Sequence, residues 1–148
     1  APTFKIAIAS GPGSGASETV GDTLYLLDVE DGDLYWSQHL VTDACSANAA
    51  PADPTALDFG PTRDGVIDRV VVGDLGGRVW TLDPTGDPMT TTATALFDSQ
   101  AVTGEAEPIT ASISFLQNGA VPELLFGTGG SDSADAESAS ARGAVPGA

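Results

Sequence analysis

Short apolar runs, set apart by Gly, Pro and Asp, give this chain its pattern. Phe4 to Ala9 predicts a first strand and Thr23 to Asp28 a second. Asp33 to Ser37 pairs back on the second, because Asp31-Gly32 between two apolar runs is a strong hairpin signal. Val41 to Pro54 reads as a loop of small residues, and Pro54 to Phe59 begins another strand. Thr94 to Asp98, Pro108 to Leu116 and Glu123 to Gly129 supply three more, with a turn at Asn118-Gly119. No apolar stripe of helical period stands out.

The most informative stretch runs from Asp64 to Asp83. An acidic turn, Asp64-Gly65-Val66-Ile67-Asp68, leads into the β-branched strand Arg69-Val70-Val71-Val72. A tight turn at Gly73-Asp74-Leu75-Gly76-Gly77 returns the chain through Arg78-Val79-Trp80-Thr81-Leu82. Val, Trp and Thr favour a pleated, half-buried surface, and paired glycines supply the positive φ of a hairpin turn.

A repeat runs through these strands. Leu24-Tyr25-Leu26-Leu27-Asp28 aligns with Val79-Trp80-Thr81-Leu82-Asp83, each followed by a Gly-containing turn. Arg69 to Asp74 aligns with Glu123 to Thr128, and Ile6-Ala7-Ile8-Ala9-Ser10-Gly11 is a weaker third copy. Gly73 and Gly127 recur at the spacing of propeller blades with loop insertions. Units of a few antiparallel strands cannot bury both faces alone, so they stack around an axis. The expected fold is therefore all-β and β-propeller-like, with two to three antiparallel blades belonging to a larger ring. Residues 1–130 form this partial propeller domain. Residues 131–148 form an acidic Ala/Ser/Gly-rich tail, expected to be disordered because it has too little apolar surface to offset its ordering entropy.

Charge narrows the function. The 148 residues carry a net charge of −16, and the basic residues are Lys5, Arg63, Arg69, Arg78 and Arg142. Such a surface repels phosphate backbones and anionic lipid, which argues against nucleic-acid or membrane-surface binding. Solubility, salt tolerance or attraction of divalent cations are the readings left open. No apolar run approaches the ~18 residues of a membrane span, so membrane insertion is not expected. No signal peptide is visible ahead of Lys5.

Candidate chemistry is sparse. Cys45 is the single cysteine, which excludes an intrachain disulfide and a thiolate metal cluster. His39 is the single histidine and reads as a surface or capping residue, and no Ser elbow or triad can be argued. The Gly-rich run Gly11 to Ser17 lacks both the Gly-Lys-Ser/Thr and the following helix of a phosphate loop. Trp36 and Trp80 read as wedges between blades, with a carbohydrate-stacking platform as the alternative.

Pro54 to Asp58, Asp64 to Asp83, Glu107 to Ala111 and Leu125 to Gly129, together with Thr23 to Asp28 and Gly32, occur in an order that resembles the C-terminal β-propeller of the PilY1 type. These are large type IV pilus-associated adhesins of Gram-negative bacteria. The resemblance spans roughly residues 4–130. It implies a non-enzymatic binding and assembly protein of the extracellular, outer cell surface, supporting pilus biogenesis and adhesion. Its implied partners are pilins, minor pilins or a host surface, and the remaining propeller blades of a larger polypeptide.

The resemblance also implies Ca²⁺ at the central loop, where family members carry an EF-hand-like acidic string. Asp64, Gly65 and Asp68 fit that string, and the Val66 carbonyl is the expected backbone ligand. The first half departs, with Thr62 in place of a carboxylate or amide and Gly60 at the first ligand position. Asp58 lies two residues early, while Pro61 and Arg63 stiffen and charge the loop. One reading is a degenerate calcium loop using Asp58, Thr62, Asp64, Val66 and Asp68. The other is an acidic hairpin entrance held by side-chain-to-backbone bonds.

Two further functions remain as alternatives. The Asp-x-x-x-Gly-x-x-x-Trp spacing from Asp28 to Trp36 resembles quinoprotein propellers, which implies a pyrroloquinoline-quinone redox enzyme. That class uses a complete ring and often vicinal cysteines, which Cys45 alone cannot supply. The third possibility is a purely structural propeller module of a larger surface protein.

Overall fold

The computed structural model describes residues 4–11, 21–40, 49–59, 64–118 and 121–129. Strands β1 (Lys5–Ala9), β2 (Thr23–Asp28) and β3 (Leu34–His39) form a first antiparallel sheet. Strands β4 (Thr55–Leu57), β5 (Arg69–Gly73), β6 (Arg78–Leu82) and β7 (Thr94–Asp98) form a second, in sequence order. A short helix, α1 (Ser99–Thr103), follows β7, and β8 (Ser114–Asn118) with β9 (Val121–Leu125) makes the third sheet. Among the described residues the fold is all-β, three small antiparallel sheets with one short helix. Among the described residues no helix is long and apolar enough to cross a membrane.

Pairing registers give the repeat a physical meaning. Leu24 of β2 faces Ala9 of β1, and Leu27 faces Ile6. At the aligned places in the second sheet, Val79 faces Gly73 and Leu82 faces Val70. Between β4 and β5, Thr55 faces Val71 and Leu57 faces Arg69. Between β8 and β9, Ser114 faces Leu125 and Leu116 faces Glu123, so the third sheet repeats the opening half of the second. The pairing places Ile6, not Ala7, opposite the counterpart of Val70's partner, so Lys5 is the equivalent of Arg69. The sequence alignment of the weak first copy is off by one residue, and a slip of one exchanges the two faces of a strand.

With the register fixed, each sheet has a front and a back. The back of the first sheet, with Leu24, Leu26 and Trp36, packs on the front of the second, with Val70, Val72, Trp80 and Leu82. The back of the second, with Leu57, Val71 and Val79, packs against Phe115, Leu124 and Phe126 of the third. The middle sheet is therefore covered on both faces, which is why Val70-Val71-Val72 is apolar without alternation. Both tryptophans are buried in the first of these cores, and the Trp36 indole N–H donates to the Thr91 carbonyl at 3.1 Å. Burial removes them as stacking platforms.

The segment from Pro108 differs from its expected strand. β8 starts only at Ser114, because Ile109 and Ile113 turn in as plugs of the second core instead of joining a ladder. Ile109 lies over Gly73, where an added Cβ would sit 2.3 Å from the Ile109 Cγ2. Helix α1 was not expected either. Asp98 caps it by accepting from Gln100 N at 3.0 Å, and Gly104 closes it with φ 88°. The expectations for the tail 131–148 and for the Gly-rich run from Pro12 fall outside the described residues.

Candidate functional site

The β4–β5 connection gathers the acidic residues that the sequence marks for a cation. β4 ends at Leu57, whose carbonyl accepts from Asp68 N at 2.8 Å, so Asp58 and Asp68 begin and end the loop side by side. Asp68 Oδ2 accepts from Phe59 N at 2.8 Å, and Asp58 Oδ2 accepts from Gly65 N at 3.0 Å. Asp64 Oδ1 accepts from Val66 N at 2.9 Å, a turn in which a side chain bonds the backbone two residues on. Each carboxylate thus satisfies one backbone N–H, the arrangement of the acidic hairpin entrance.

Ca²⁺ requires about six to eight oxygens around one point. Among the described residues no three acidic, His or Cys side chains group as a metal site. One atom does fit a cation: Asp58 Oδ1 is buried and, among the described residues, has no hydrogen-bond partner. A buried carboxylate oxygen left unpaired is costly unless a cation or donor meets it. Asp64, Val66 and Asp68 lie in the same loop as Asp58, whereas Thr62, Gly60, Pro61 and Arg63 lie outside the described residues. Among the described residues Arg69 brings a positive charge nearby, its guanidinium 2.6 Å from the Asp68 carbonyl and 3.0 Å from Asp83 Oδ2.

A second polar centre, which reads from the sequence as a turn alone, lies at the opposite end of β5. Asp74 is fully buried. Its Oδ1 accepts from Arg78 N at 2.8 Å and its Oδ2 from the Trp80 indole N–H at 2.7 Å. Its own carbonyl accepts from Ile109 N at 2.9 Å. Burial raises the Asp74 carboxyl above the ordinary 3.8, and the bonds from Trp80 and Arg78 oppose that shift. Arg78 turns its Nε to Asp98 Oδ2 at 3.1 Å, joining the turn to the cap of α1. The readable signal was an Asp in a hairpin turn six residues before a Trp, a reach that lets the carboxylate meet the indole.

The third polar group joins Asp22, Thr23 and His39. His39 Nδ1 lies 2.9 Å from Asp22 Oδ1 and 3.3 Å from Thr23 Oγ1. A nucleophile relay needs one ring nitrogen for the acid and the other for the hydroxyl. Here the same nitrogen meets both, so these residues cap the β2–β3 end and form no triad. Asp22 holds that end directly, its carbonyl accepting from Leu40 N at 2.7 Å.

Comparison with protein-family models, with curated proteins and with solved structures gives no match.

Proposed function

We propose that this chain is a non-enzymatic binding and assembly module, a partial β-propeller of the PilY1 type on the outer surface of a Gram-negative bacterium. The observation that supports the propeller is the repeated register: three sheets stacked front to back, the middle one covered on both faces. Blades of a propeller stack in this manner, and a partial ring leaves its two end faces for further blades to cover. The pilus assignment rests on the ordered residues from Pro54 to Gly129. Its partners are pilins, minor pilins or a host surface, and the charge of −16 disfavours nucleic acid. Co-purification from piliated cells tests it: minor pilins are expected with the chain, and their absence overturns the pilus role.

Calcium enters this reading as a modulator held by Asp58, Thr62, Asp64, Val66 and Asp68, with the unpaired Asp58 Oδ1 as its structural support. A ligand that binds only the folded chain raises its stability, by about 1.4 kcal/mol at roughly ten times Kd. The expected result is a rise of about 3–6 °C in Tm with millimolar Ca²⁺ over chelator-treated protein, none with Mg²⁺, and no rise in Asp58→Asn. Equal midpoints with and without Ca²⁺ would remove calcium and leave the propeller reading untouched.

A further inference from the structure

The two ends of the stack carry the faces that are buried inside it. On the front of the first sheet, Ile6, Ile8, Tyr25 and Leu27 occupy the positions of Val70, Val72, Trp80 and Leu82. Those four counterparts are buried against the neighbouring sheet. At the end, by contrast, Ile6 is 47 % and Ile8 41 % exposed, with exposed Phe4 and Leu34 beside them. On the back of the third sheet, Leu116 and Leu125 occupy the positions of Leu57 and Val71, which are buried within the second core. Here they are 53 % and 57 % exposed. On the third sheet the two leucines pair with Glu123 and Ser114 on the same face, and exposed apolar side chains gathered on a sheet face are where a partner would dock.

The faces differ, and their difference is informative. Inside the chain, a back face always meets a front face, at both junctions. The free front at one end and the free back at the other are therefore two halves of the same interface. We propose that a second copy of this chain covers each end head to tail, the third sheet of one copy stacking on the first sheet of the next. This rests on the stacked-sheet reading above and adds a partner to it. Such a contact is heterologous, so it extends into open chains or closes into a ring. Copies carry like charge of −16 each, so association strengthens as salt screens their repulsion.

The test uses the 148-residue chain and two variants that each add a carboxylate to one exposed end, Ile8→Asp and Leu125→Asp. Both positions face solvent in the monomer, and unchanged circular dichroism and Tm at low concentration are the check on folding. Sedimentation velocity of the unmodified chain is expected to show a concentration-dependent series of oligomers, larger in high NaCl. Each variant alone is expected to be monomeric. Mixed, they are expected to give a one-to-one dimer, because each keeps the end that the other has lost. A monomeric unmodified chain at all concentrations overturns the proposal while leaving the internal stack intact, and so does a mixture that stays monomeric. A dimer abolished by one variant and untouched by the other also overturns it, since that pattern belongs to a symmetric contact.

Discussion

Asp74→Ala is expected to destabilise the chain by about 3–5 kcal/mol, read as the shift in a urea unfolding curve. The carboxylate is fully buried and holds two donors, Arg78 N and the Trp80 indole. Removing it leaves both without an acceptor, and each buried orphan costs about 1–3 kcal/mol. The cavity adds to this, because Asp74 lies where Ile109 crosses the turn. An unchanged midpoint would mean that the β5–β6 turn does not depend on this carboxylate.

The same residue shapes the pH dependence. Burial lifts its folded-state pKa above the unfolded value, so the folded chain binds more protons at that site. Its contribution to stability is then greatest below the unfolded pKa and declines as pH rises through the interval up to the raised value. Asp74→Asn removes that decline, whereas Asp53→Asn, at an exposed position, removes the same charge and leaves it. Asp83 acts with opposite sign. The Thr85 hydroxyl, the Thr85 amide and the Arg69 guanidinium hold it below 3.8. Its contribution is present above the unfolded pKa and is lost as pH falls through the depressed one.

Gly77→Ala is expected to cost at least about 3 kcal/mol, through two separate effects. Gly77 has φ 79°, a region that side chains disfavour. An added Cβ would also sit 2.0 Å from Ser99 Oγ and 2.6 Å from the Glu107 carbonyl. Nearby atoms cannot retreat easily. Ser99 N donates to the Gly77 carbonyl at 2.9 Å, and Ser99 Oγ accepts from Glu107 N at 2.9 Å. Gly65→Ala is the comparison: its φ is 83°, but no atom of the described residues beyond its chain neighbours lies within 4 Å of the new Cβ. It is expected to lose only the backbone share, about 1 kcal/mol. Equal losses in the two variants would show that crowding at Ser99 contributes nothing.

Most strands were legible because their apolar residues are dictated by sheet faces. Thr23–Asp28, Arg78–Leu82 and Thr94–Asp98 have the bounds that alternation and turns predict. The unbroken Val70-Val71-Val72 marked a strand, but reading it as half-buried missed that neighbouring sheets cover both of its faces. The failures have physical causes. Helix α1 spans five residues, too short for a 3.6-residue period to register, and only Asp98 and Gly104 mark its ends. Pro108 to Ile113 alternates as a strand would, yet its inward residues fill the second core and its backbone joins no ladder. The burial of Asp74 was hidden because Asp in a glycine-rich turn ordinarily faces water. At the candidate site, sequence placed Asp58, Asp64 and Asp68 in one loop. It could not show that each is engaged by a backbone N–H while one Asp58 oxygen is left over.

A middle sheet without a solvent face also orders the molecule in time. Amides of β5 and β6 can exchange with water only when a neighbouring sheet peels away, whereas β1 and β9 need only part from one partner strand. Hydrogen exchange is therefore expected to run inward from both ends, with Val71 and Val79 among the slowest amides. Any partner that caps an end would slow the outer strands first, turning a binding event into a change in local lifetime.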